Sequence, residues 1–241
     1  MQRYSRNMRN ILLYSLIFAK ALALGSCASD ELKEPVRASL VFTIEANQPP
    51  QEELSINEVA LTITQLDFDS KRKAGEDYPF TIHFDEPLQI SSQSTKSALI
   101  SAFDLPQGEY NQIDIDLEIA AKHGFSTVNE ENSIRINGMY KAKNKAAVPF
   151  MFVYTEATHF SYQLGNGSTG VLSVDQQVTP ELSLSFDPAY WLAELNENRL
   201  KSAKTTEIDG TETILISANF NDKIYTDLLR RLEKANRLKV K

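Results

Sequence analysis

The sequence predicts a mainly β protein, an antiparallel β-sandwich. Three observations predict it: apolar and polar residues alternate along short runs, turn formers separate those runs, and no helical period falls between them. Ala38, Leu40, Phe42 and Ile44 alternate with Ser39, Thr43 and Glu45, which makes a half-buried first strand. In the next run, residues 56–68, Val59, Leu61 and Ile63 share one face, but Leu66 and Phe68 take the opposite phase. One extra residue flips every later side chain, so a β-bulge is expected near Thr64 and Gln65. Residues 71–77 (KRKAGED) read as a charged turn, after which Phe80, Ile82 and Phe84 alternate again. Leu88 and Ile90 extend the sheet, and residues 98–103 are expected to cover an edge.

Residues 105–110 (LPQGEY) set proline and glycine where a β-turn takes them. They feed a strand with Ile113, Ile115, Leu117 and Ile119 facing inward and Asp114, Asp116 and Glu118 outward. Further strands are expected at 134–140, 148–154, 158–164, 171–174 and 182–186. Asp187-Pro188 supplies an N-cap and a proline at the first helical position, predicting a short helix near 188–195 that carries Tyr190 and Trp191. Residues 196–211 read as a polar linker and 214–217 as a last strand. A C-terminal amphipathic helix starts at Asn221 or Asp222, with Ile224, Tyr225, Leu228, Leu229 and Leu232 as one apolar stripe.

Ahead of the strands the chain has a different character. Arg3, Arg6 and Arg9 precede a short apolar stretch, residues 11–24, interrupted by Lys20. That is the layout of a secretory signal peptide rather than of a membrane span. Leu24, Gly25 and Ser26 then lead into Cys27, the only cysteine, and this segment resembles the lipobox of bacterial lipoproteins. The resemblance implies cleavage before Cys27 and acylation of its thiol, so that Cys27 is consumed as an anchor in membrane lipid. Two or three acyl chains, at about 0.8 kcal/mol per buried methylene, hold a protein firmly. No thiol is then left for a disulfide, a nucleophile or a metal. Ala28 after the cysteine resembles the pattern of lipoproteins passed to the outer membrane. Ser29, Asp30 and Glu31 resemble a short acidic signal for export to the surface of a Gram-negative cell. The organisation expected is thus a signal peptide over 1–26, an acidic linker over 27–36, a β-sandwich domain over 37–220, and a C-terminal helix with a basic tail over 221–241.

Residues 1–26 hold four of the 25 Lys and Arg and none of the 32 Asp and Glu, so the mature chain carries a net −11. Residues 228–241 carry six cations against Glu233, a net +5, which leaves −16 on 27–227. A body this acidic repels nucleic acid and other large anions. The basic end suits the last turns of a helix, whose dipole favours cations.

No catalytic constellation is legible. Residues 165–170 match G-x-G-x-x-G, but the dinucleotide fingerprint needs a helix after it, whereas a strand follows and Asn166-Gly167 favours a hairpin. Asp114, Asp116 and Glu118 invite calcium, yet same-face residues stand about 6.6 Å apart along a strand while oxygens must converge to about 2.4 Å from the ion. A solvated face that also discourages edge pairing is the expected reading. His83, His123 and His159 lack ligand spacing, so no metal or other cofactor is expected. Phe150, Phe152, Tyr154, Phe160, Tyr162, Tyr190 and Trp191 form the one aromatic concentration; most are expected in the core, with Tyr190 and Trp191 the candidates for an exposed ligand platform.

Residues 105–113 (LPQGEYNQI), with strands before them and an L-x-L-x-F-D pattern after them, resemble an uncharacterised domain family of secreted bacterial lipoproteins in which the turn reads L-P-x-G-x-Y. The resemblance spans about residues 38–187 and is carried by Leu105, Pro106, Gly108, Tyr110 and Ile113. It implies an immunoglobulin-like or transthyretin-like sandwich and no established activity. Copper-associated periplasmic proteins share such a turn but depend on histidines and methionines that this chain lacks. The expectation is a non-catalytic module, anchored at the outer membrane or cell surface, that binds a protein or glycan of the envelope and no nucleic acid. The alternative is an accessory structural subunit that docks on an envelope complex through its C-terminal helix.

Overall fold

The computed structural model describes residues 33–93, 97–120, 132–165, 172–177, 179–193, 195, 197–232 and 236–240. The signal peptide, the lipobox, Ser29, Asp30, Glu31, His123 and the Asn166-Gly167 turn lie outside the described residues. The protein is mainly β, with strands in two sheets around one apolar cluster.

The large sheet is laid out by its longest strand. β2 (Leu54–Arg72) pairs with β3 (Phe80–Ser91), β5 (Gly108–Ile119) and β6 (Ile134–Tyr140). Ala60 pairs with both Ser91 and Arg135, and Leu66 with both Ile82 and Leu117. β3 therefore flanks one edge of β2, while β5 and β6 run end to end along the other. β7 (Val148–Tyr154) continues the sheet beside β6, and β8 (Thr158–Leu164) and β9 (Leu172–Val174) continue it beside β5. β12 (Thr211–Ile216) and β11 (Thr206–Ile208) close the β7 side. The bulge expected from the phase change in β2 is present: the register slips between Ile63 and Gln65 against β3 and β5 alike, so Ile63, Leu66 and Phe68 all point into the core. On β3 the same slip sets residues 84–87 opposite Thr64 alone. Those residues include Asp85, Glu86 and Pro87, which make a strand edge unfit for pairing with another chain.

The small sheet has the order β13 (Asn236–Val240), β10 (Glu181–Phe186), β1 (Val36–Ile44), β4 (Ser97–Leu105). Ala38, Leu40, Phe42 and Ile44 of β1 and Leu182, Leu184 and Phe186 of β10 are buried against the large sheet's apolar face. Here the structure departs from expectation in three ways. Two pairings, β1 with β10 and β7 with β12, are parallel, so the architecture is mixed rather than wholly antiparallel. Parallel neighbours need a long crossover, which residues 155–210 and 45–180 supply. Residues 98–103 belong to β4 and pair with β1 instead of capping an edge. The basic tail is not helical: Arg237 and Lys239 sit in β13, antiparallel to β10, where the tail satisfies backbone groups that β10 would otherwise leave open.

Three short helices lie among the described residues. α1 (Pro188–Leu192) starts as expected: the Asp187 carboxylate accepts the backbone N–H of Tyr190 at 3.1 Å, with Pro188 next in line. α2 (Glu197–Lys201) and β11 replace the expected polar linker. Leu195 and Leu200 are buried there, and Asp209 and Gly210, both at positive φ, turn β11 back onto β12. α3 (Asp222–Leu229) is the predicted amphipathic helix, shorter than expected. Its Ile224, Tyr225 and Leu228 are buried, with Leu232 beyond its end, and the Tyr225 ring stacks on Phe152 at 5.8 Å. The stripe is thus spent on the protein's own core.

Candidate binding groove

Alternation along four neighbouring strands brings one set of polar side chains onto the outer face of the large sheet. Thr81, Asp67, Asp116 and Ser161 form one cross-strand row over β3, β2, β5 and β8; Asp69, Asp114 and Gln163 form the next. With Pro79 and Phe80 they line an open groove of about 660 Å³. β5 is central here, flanked by β2 and β8, so its acids do not guard an edge as the sequence suggested.

Asp67 stands directly opposite Asp116, and Asp69 opposite Asp114. Like charges at this spacing repel, at roughly 0.2–1 kcal/mol per pair. Neutral donors offset the repulsion. Thr81 Oγ1 and Gln65 Nε2 donate to Asp67 at 2.6 and 2.7 Å, and Ser161 Oγ donates to Asp116 at 2.7 Å. Gln163 Nε2 donates to Asp114 at 2.8 Å, and Gln112 donates to its other oxygen. His159 Nδ1 lies 2.7 Å from Asp116 Oδ1. Ser161 and His159 thus meet the two oxygens of one carboxylate and do not meet each other, so the three groups form no proton relay. Among the described residues no group of three or more His, Cys, Asp or Glu is placed to hold a metal ion. His83, on β3, pairs in register with Gln65 and stands apart from His159.

The predicted platform is not a platform. Trp191 is fully buried, its ring edge-on to Phe152 at 4.8 Å and its indole N–H donated to the Leu228 carbonyl. Tyr190 is half-buried with the Arg231 guanidinium 4.9 Å over its ring. Both hold α1 against α3. Phe150, Phe152, Tyr154, Phe160 and Tyr162 are core, as expected.

The L-P-x-G-x-Y segment builds the corner that carries the chain from one sheet to the other. Leu105 ends β4 in the small sheet, and Gly108, at φ 143°, starts β5 in the large one. That φ suits glycine, which has no Cβ to clash. Tyr110 is fully buried, and its hydroxyl donates to the Pro106 carbonyl at 2.6 Å, tying the strand back over its own turn. Ile113 continues the buried face. Arg72 at the end of β2 donates to the Gln107 carbonyl at 2.7 Å, and Gln107 Nε2 donates to the Glu34 carbonyl at 2.7 Å. The sequence marked the turn but not Arg72, which it assigned to a solvated loop.

Burial pushes the Tyr110 hydroxyl up to about 12, with the Arg72 charge pulling the other way. Burial also lifts Tyr225 to about 12, reinforced by Glu156. A tyrosine whose folded value is raised stabilises the fold below its unfolded value near 10, and that contribution is lost as pH rises through 12. The protein should therefore lose stability as pH rises from 10 towards 12, with Tyr110 contributing to the loss. Urea titrations across that range should show the loss, and Tyr110→Phe should lessen it without abolishing it, since Tyr225 and Tyr162 are raised as well; an unchanged slope in the variant would assign the loss elsewhere.

No family model, curated protein or solved structure matches the chain. What its own residues define is a mainly β protein with a polar groove on one sheet face, a cross-sheet tyrosine corner and, among the described residues, no helix long and apolar enough to cross a membrane.

Proposed function

We propose that the protein is a lipid-anchored binding module of a Gram-negative envelope, held at the outer membrane or cell surface by acylated Cys27, with an immunoglobulin-like or transthyretin-like sandwich as its folded part. It acts without catalysis and without a cofactor, and its outer-face groove takes a glycan of the envelope. The anchor rests on Leu24, Gly25 and Ser26 leading into Cys27 behind a basic and apolar stretch, with Ser29, Asp30 and Glu31 directing export. The opposed aspartate pairs carry the binding reading. Two opposed aspartate pairs gather acceptors on one open face. Each ionised carboxylate has about four acceptor sites, more than the donors from Thr81, Gln65, Ser161 and Gln163 fill, and adjacent hydroxyls of a sugar ring supply donors for the rest. The burial of the α3 stripe removes the apolar face on which docking through the C-terminal helix would depend.

Two variants separate the two halves of this reading. Cys27→Ser should move the protein from the membrane fraction to the soluble one or leave an uncleaved precursor; normal processing and membrane partition would sink the anchor. Asp67→Asn with Asp114→Asn should keep the fold, relieve one charge in each opposed pair, and weaken binding to glycans released from the envelope at least tenfold. Unchanged glycan binding, or none by the parent protein, would sink the groove assignment.

A further inference from the structure

We infer that the domain stands end-on against the phospholipid surface that holds Cys27, presenting residues 33–37, the turn at 71–77 and the corner at 104–109 to the headgroups. This rests on the anchor reading above. Three contacts pin the chain at that end. Gln107 donates to the Glu34 carbonyl at 2.7 Å, Arg37 pairs with Asp104 at 3.4 Å, and Val36 opens β1 opposite Leu105. The turn at 71–77 is fastened beside them, since Lys73 bonds Glu109 through its backbone N–H at 2.8 Å and through its ammonium at 2.8 Å. From Cys27 to Glu34 is seven residues, at most about 25 Å of extended chain. β2, at 19 residues, measures about 60 Å end to end at 3.3 Å per residue. Its Leu54 end, where the turn at 141–147 joins β6 to β7, stands far beyond that tether when the domain is upright.

The tether alone would also let the domain lie on its outer face, and charge disfavours that stance. The side formed by the outer face carries Asp67, Asp69, Asp114, Asp116 and Glu118, which anionic headgroups repel. The three segments at the pinned end balance instead. Lys33, Arg37, Lys71, Arg72 and Lys73 offset Glu34, Glu76, Asp77, Asp104 and Glu109, in a body of net −16. Lys71, next to the end of β2, and Lys73, on the turn and paired with Glu109, are both exposed at this end. An end-on stance leaves the groove facing sideways, open to a partner moving along the membrane.

Energy transfer from protein to lipid tests the stance. With Cys27 acylated, a cysteine introduced by Ala74→Cys or Ala146→Cys is the only free thiol; both positions are exposed, one at each end of β2. Each lipidated variant is labelled with a donor dye and bound to phospholipid vesicles containing an acceptor-labelled lipid. Transfer from residue 74 should exceed that from residue 146 several-fold. Equal transfer, or more from residue 146, overturns the end-on stance. A vesicle co-sedimentation run beside it tells the two failures apart. If the lipidated protein sediments with vesicles no better than Cys27→Ser, the anchor reading has failed and the stance falls with it.

Discussion

Truncating Tyr110 to alanine is expected to cost about 3–5 kcal/mol, because the ring is fully buried in the core where the chain passes from one sheet to the other. Tyr110→Phe keeps the ring and loses the hydroxyl bond to Pro106, which leaves a buried carbonyl to find another donor; its cost should be about 1–2 kcal/mol. Denaturant midpoints of the two variants separate packing from hydrogen bonding. If alanine costs no more than phenylalanine, the corner is not what couples the sheets, and residues 105–110 act as a local turn alone. The ordering also bears on the start of β1, since Gln107 and Arg72 act on the same corner and a loosened turn would release the clamp on Glu34.

Gly138→Ala should be nearly as damaging, about 3 kcal/mol or more. Gly138 sits in β6 between Ile56 of β2 and Phe150 of β7. A Cβ built there would stand 2.1 Å from the Ser55 carbonyl oxygen and 2.2 Å from the Phe150 ring. The ring could retreat, but the carbonyl belongs to the neighbouring strand and moves only with it. Placing Gly138→Ala on a Phe150→Leu background measures the two obstacles. Thermal unfolding of the four proteins in that cycle should show a partial rescue, since the carbonyl clash remains. Full rescue would assign the whole effect to the ring, and additive losses would mean that the ring plays no part.

The elements legible in the sequence were those set by local patterns. The slip at Thr64 could be read because an apolar phase change has one simple cause, an extra residue in the strand. The start of α1 could be read because Asp187 and Pro188 act on the backbone beside them. Asp209-Gly210 was equally readable as a hairpin signal, yet the short polar runs on either side hid it inside a supposed linker. What stayed hidden depended on distant partners. Alternation shows which side chains face outward but not which strand lies next to which, so Asp114 and Asp116 were visible as outward acids while Asp67, Asp69, Thr81, Ser161 and Gln163 were not gathered with them. The parallel pairs were hidden for the same reason, since a strand's pattern is blind to its neighbour's direction. At the tail, a cationic run suits a helix end by its dipole, but residues 236–240 answer to the open edge of β10, a tertiary demand.

The order of strands in the small sheet also sets a timetable for folding. β1 begins at residue 36, its parallel neighbour β10 begins at residue 181, and β13 reaches residue 240. Residues 36 to 240 must all be made before that sheet can be completed, and contacts spanning such separations form slowly because the intervening loop must close first. A chain delivered N-terminus first therefore holds β1 and β4 without β10 until residue 186 is made, and β10 without β13 until residue 240 is made. The moment at which β1 gains its second partner is thus tied to the arrival of β10.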